Sequence, residues 1–166
     1  MSDRHAFLAT TLKDRLVDTH RHLQALELAV VAFPGGFGLS EFERAWVGGP
    51  GELLTAYPIQ AGYENVINGC VKVAQELCEL NGWTPANLEP KSFEALKHLH
   101  ENGIIGPKTR TALKDAYERR GEIQHDYVGA AAREVHAATL AVLEYAPLLL
   151  QDVALHVRQR ERPASG

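Results

Sequence analysis

The sequence predicts an all-α protein, an up-down bundle of three long helices with several short ones. Three observations carry that expectation. Apolar residues recur at three- and four-residue steps over three long segments, the spacing of one helix face. No segment alternates apolar and polar residues with β-branched enrichment, as a half-buried strand would. Clusters of Gly, Pro and Asn separate the periodic segments, where they act as breakers.

The first long helix is expected from Ser2 or Asp3, either of which can cap it, to about Ala32. Phe7, Leu8, Leu12, Leu16, His20, Leu23, Leu26, Val30 and Val31 form its apolar stripe, and Asp14, Arg15, Asp18, Arg21 and Gln24 fill the other face. The run Pro34 to Gly38 stops it. Ser40 with Glu43 reads as a capping box for a short helix through Trp46. After Gly48-Gly49-Pro50-Gly51 and a short segment up to Tyr57-Pro58, a second long helix is expected from about Ile59 to Leu80. Tyr63, Val66, Ile67, Cys70, Val73, Ala74, Leu77, Cys78 and Leu80 make its inner face, and Asn81-Gly82 closes it.

Residues 83–90 hold two prolines and no periodicity, so they read as loop. A short helix from Ser92 to Glu101 ends at Asn102-Gly103, and a further helix over Thr109 to Tyr117 follows. The last long helix spans about Gly129 to Arg160, carries Val135, Ala138, Leu140, Leu143, Leu148, Leu149, Val153, Leu155 and Val157, and should kink at Pro147. It is more broadly apolar than a monomer surface needs, which predicts either packing against another subunit or a central place in the bundle.

A chain of 166 residues, 45% hydrophobic, can bury a core unaided. Residues 1–166 are therefore read as a single domain, with 158–166 a frayed tail. A net charge of −4 and a pI near 6.1 exclude a broadly basic nucleic-acid binder but leave room for a local basic patch. Cys70 and Cys78 lie in an apolar segment and read as buried thiols of a reducing compartment. No apolar leader and no uninterrupted apolar run near the ~20 residues of a membrane span are visible, so a cytoplasmic protein away from membranes is expected. His20-x-His22 and His98-x-His100 put each pair on opposite sides of a helix, unlike the three- and four-residue spacings of helical zinc sites. No metal site is expected.

The chemistry concentrates in Glu118 to Tyr127, where Arg120 is followed after four residues by His125 and after one more by Tyr127. A histidine can move a proton at a ribose 2′-hydroxyl or a leaving oxygen. A guanidinium can hold the phosphate as negative charge builds on it. Together they can cleave RNA without a metal. Helical steps of about 100° put Arg120, Gln124 and Tyr127 on one face and His125 roughly 140° away. Arg120 and His125 converge only if the helix loosens or ends between Gly121 and Tyr127, or if two copies face each other. Lys108, Arg110, Lys114, Arg119 and Arg120 outnumber Asp115 and Glu118, making Lys114, Arg119 and Gln124 candidate RNA contacts; plain solvated helix faces carry such runs equally often. Glu64 and Asn65 could face the same cleft, but they read more readily as ordinary surface residues or a polar pair at a bundle seam.

Asn102-Gly103-Ile104-Ile105 and Arg120 to Tyr127, within a helical pattern over about residues 59–150, resemble the HEPN superfamily and within it the HepT-like ribonuclease toxins. The resemblance implies a metal-independent endoribonuclease with Arg120 and His125 as its catalytic pair and no cofactor. It implies a homodimer whose two motifs line one cleft. It also implies a cognate MNT-type nucleotidyltransferase antitoxin that silences the toxin by adenylylating Tyr127. The family pattern has Asn after the arginine, and this chain has Gly121. That departure favours a second reading, a non-catalytic helical module that binds nucleotides or docks a nucleotidyltransferase. A third reading is a plain helical scaffold in which the motif is accidental.

Overall fold

One helix, rich in buried side chains, organises the others. The computed structural model describes residues 3–83, 92–123 and 130–161. Over them the chain forms α1 (Asp3–Val31), α2 (Leu39–Val47), α3 (Pro50–Leu80), α4 (Ser92–Glu101), α5 (Pro107–Ile123) and α6 (Ala130–Glu161). Among the described residues there is no strand, so the fold is the all-α bundle that the periodicity predicts. The Ser2 cap, most of the loop after Trp83, the end of the tail, and Gln124, His125 and Tyr127 lie outside the described residues.

α3 packs against all five other helices. Ile59, Tyr63, Val66, Ile67, Cys70, Val73, Ala74, Leu77 and Cys78 are buried along it, each large apolar side chain contributing about 1.5–3 kcal/mol. The helix begins nine residues before the expected start at Ile59. Pro50 sits at its first position after the N-cap Gly49, where a missing N–H costs nothing. Pro58 lies inside the helix without ending it. Interior proline costs about 3 kcal/mol, and burial of Ala56, Ile59 and Tyr63 around it offsets that.

α1 runs antiparallel to α3, since Leu26 lies on Gly62 and Thr19 on Gly69, while Arg15 reaches Glu76 at 3.2 Å. The absence of a side chain at Gly69 lets the two backbones approach closely: a Cβ there would come 2.7 Å from Thr19 Cγ2. This contact corrects the expected stripe. Thr19 is buried and His20 exposed, while Phe7 and Val31, expected inside, are 68% and 84% exposed.

The expected Ser40–Glu43 capping box is not formed. α2 starts at Leu39 with Gly38 as N-cap and no side-chain cap, and Glu43 instead accepts from Arg133 of α6 at 2.9 Å. The Asn-Gly stops behave as the sequence suggests. Gly82 (φ 66°) and Gly103 (φ 71°) take the left-handed conformation. Trp83 N–H then bonds Cys78 C=O at 3.0 Å, and Ile104 N–H bonds Leu99 C=O at 2.8 Å, the six-to-one closure of a Schellman turn.

α5 and α6 form an antiparallel hairpin, and α6 packs on α1, α2, α3 and α5. It continues as helix through Pro147. By length and composition α6 is apolar enough to cross a membrane, which the search for an uninterrupted apolar run misses. Within the bundle that apolarity serves the core, where Val135, Val142, Ala146, Leu149 and Val153 are fully buried. Leu140, Leu148 and Leu155, part of the broad apolarity that the sequence assigns either to another subunit or to a central place, are 47%, 43% and 53% exposed on its far side.

Candidate functional site

The last turns of α5 carry the described part of the motif. α5 runs as helix past Gly121 to Ile123 and α6 begins at Ala130; the interval between them, with His125 and Tyr127, lies outside the described residues. Arg120 points its guanidinium at α3, donating to Asn68 Oδ1. The same guanidinium lies 4.4 Å from the centroid of the Tyr117 ring, a cation–π contact worth about 0.5–2 kcal/mol. Arg119, its neighbour, donates instead to the Glu134 carboxylate across the α5–α6 hairpin. Lys114 is occupied on its own helix, 3.5 Å from Glu118.

Below these groups lies Tyr63 of α3, fully buried, with no hydrogen-bond partner for its hydroxyl among the described residues. Burial first, and then the Glu64 carboxylate, push its phenol above the ordinary range, while Arg120 and Arg119 pull the other way. The phenol therefore stays protonated at any physiological pH. Glu64 is half-buried and accepts from Gln60 at 3.3 Å.

Of the two α3 candidates, only Glu64 belongs to this neighbourhood; Asn65 is exposed. The residue that meets the motif is Asn68, four positions after Glu64. Asn68 continues the i, i+4 polar row Gln60, Glu64, Asn68, Lys72 and Glu76 along α3, a pattern that any solvent-facing helix stripe shares, so the sequence does not single it out. Sequence reasoning also passes over His136. It is buried on α6, stacked on Phe37 at 4.7 Å, with Nε2 3.2 Å from the Phe37 carbonyl, and it locks the α1–α2 turn to α6.

The structure brings Arg119 and Arg120 together and places Lys114 one to two turns away on the same helix. Cys70 and Cys78 are free and buried, their thiols pushed up to about 12 by burial, which makes them packing groups rather than nucleophiles. His22 faces Asp18 at 3.6 Å and His98 faces Glu101 at 3.8 Å. Among the described residues no three His, Cys, Asp or Glu side chains gather as a metal ion would require. A groove of about 480 Å³ lies elsewhere, lined by Phe33, Glu41, Arg44, Glu52 and Thr55 among others, none of them part of the motif.

No family model, curated protein or solved structure matches this chain. The functional reading therefore rests on the residues themselves. What the described arrangement offers chemically is a guanidinium with a defined orientation, at the end of a helix, bordering the segment that carries a histidine and a tyrosine.

Proposed function

We propose that this protein is a metal-independent endoribonuclease of the HEPN type, the toxin of a toxin–antitoxin pair acting in the cytoplasm. The observation that carries the reading is Arg120. Its neighbour Arg119 is bound to a carboxylate, whereas Arg120 has no ion-pair partner among the described residues and is held by an amide and a ring. A half-buried guanidinium of that kind suits the charge that develops on a phosphodiester during cleavage.

In this reading His125 moves the proton at the ribose 2′-hydroxyl or the leaving 5′-oxygen, and Arg120 stabilises the phosphorane-like charge. Two copies bring their motifs into one cleft, and the exposed Leu140, Leu148 and Leu155 of α6 support such a homodimer. Tyr127 is the control point: adenylylation by an MNT-type nucleotidyltransferase adds bulk and negative charge where an RNA phosphate would sit. Gly121 in place of the family's Asn favours a second reading, a non-catalytic module that binds nucleotides or docks a nucleotidyltransferase.

RNA cleavage by the purified full chain in EDTA separates the two. Wild type should cut, and His125→Ala should be slower by about 10²-fold or more, the usual contribution of a proton-transfer group. Equal cutting by wild type and His125→Ala, or no cutting by either, removes the ribonuclease assignment.

A further inference from the structure

Two adjacent arginines on α5 have chemically different partners, and the difference is informative. Arg119 donates to the Glu134 carboxylate, which compensates its charge on the spot. Arg120 donates to the neutral amide oxygen of Asn68 and rests over Tyr117. An amide oxygen can orient a guanidinium through one N–H while leaving its charge and its other donors available. A carboxylate at the same position would grip more strongly and cancel most of the field that an incoming anion feels. Both Asn68 and Arg120 are half-buried, where each charge counts for more than it would in water.

We propose that Asn68 is a positioning residue for a phosphate-class anion at Arg120. It fixes the guanidinium without neutralising it, and Glu134 keeps Arg119 from competing for the same ligand. The inference rests on Arg120 being the phosphate-binding group of the proposed function, and it adds the residue that sets that group's effective charge.

Substitutions at Asn68 distinguish this role from simple bracing. If Asn68 only braces α3 against α5, Asn68→Asp is harmless, since a carboxylate beside a guanidinium is a good brace, and Asn68→Ala is the damaging change. If Asn68 preserves charge, the order reverses for anion binding. The experiment titrates the full chain with inorganic pyrophosphate and follows the Arg120 Nε–H resonance by NMR, with thermal unfolding and RNA cleavage measured on the same samples.

Asn68→Asp should lower pyrophosphate affinity by about tenfold or more, because an adjacent charge is compensated at short range, while its Tm stays level or rises. Asn68→Ala should lose less affinity and more stability. Wild-type affinity in Asn68→Asp, or a wild-type Arg120 resonance that ignores pyrophosphate, overturns the inference. If the affinities follow the expected order but wild type cuts no RNA, the ribonuclease reading fails and the role of Asn68 stands.

Discussion

Thr19 packs its methyl and hydroxyl onto the bare backbone of Gly69, and nothing in that contact can retreat cheaply. A Cβ at position 69 would meet Thr19 Cγ2 at 2.7 Å and Thr19 Cβ at 3.0 Å, so α1 and α3 would have to separate. Alanine gains about 1 kcal/mol of helix propensity over glycine, but overpacking of this kind costs about 1–3 kcal/mol. Gly69→Ala should therefore destabilise by up to about 2 kcal/mol net, read as a lower urea midpoint. Thr19→Ala in the same chain should recover part of it, because the two sites share one contact. Gly51 is the control: its Cβ would meet nothing within 4 Å, so Gly51→Ala should stabilise by about 0.5 kcal/mol through the unfolded state. Equal effects at the two glycines would mean that α1 does not lie as close to α3 as described.

At the scale of elements, α6 has two apolar faces that its sequence merges into one run. Val142, Ala146, Leu149 and Val153 are fully buried within the bundle. Leu140, Leu148 and Leu155, spaced by eight and seven residues, are left on its outer side. If that outer stripe is the proposed dimer contact, Leu148→Glu should turn a dimer into a monomer in light scattering while leaving helicity and Tm of the monomer nearly unchanged, since exposed substitutions usually stay within about 0.5 kcal/mol. A wild type that runs as a monomer at all concentrations, or a Leu148→Glu variant that remains dimeric, moves the interface elsewhere. The same division explains why periodicity alone leaves both subunit packing and a central place open for α6. A helix period identifies an apolar face, and two faces on one helix fuse into a continuous pattern.

Over the whole molecule, burial of ionisable groups along α3 sets an alkaline limit. The thiols of Cys70 and Cys78 are pushed up to about 12 by burial, against about 8.5 for an unfolded cysteine, and Tyr63 is raised in the same sense. For a group whose folded pKa is raised, the stability contribution is complete below the unfolded pKa and is lost as pH climbs toward the folded one. The urea midpoint should thus fall from about pH 8.5 to about pH 12, and Cys70→Ala should make that fall shallower. An unchanged slope in Cys70→Ala would assign the alkaline transition to other groups.

What the chain settled locally and what it left to packing divide along one line. The helical class, the Asn-Gly stops after α3 and α4, and the inner face of α3 follow from neighbours within four residues, whose relations the helix period dictates. Pro58 shows the limit: a local breaker yields when Ile59 and Tyr63 are fully buried beside it. The motif at Arg120 is legible as chemistry, because arginine and histidine carry it wherever they stand. Its partner is not. Asn68 lies 52 residues away in the chain, and only the packing of α5 on α3 brings its amide to the guanidinium. Which arginine is paired with a carboxylate was decided in the same way, by which helix each side chain faces: Arg119 meets a carboxylate of α6 and Arg120 an amide of α3. Residue types set the available chemistry, and tertiary contacts, made across tens of residues, set the charge that each group presents.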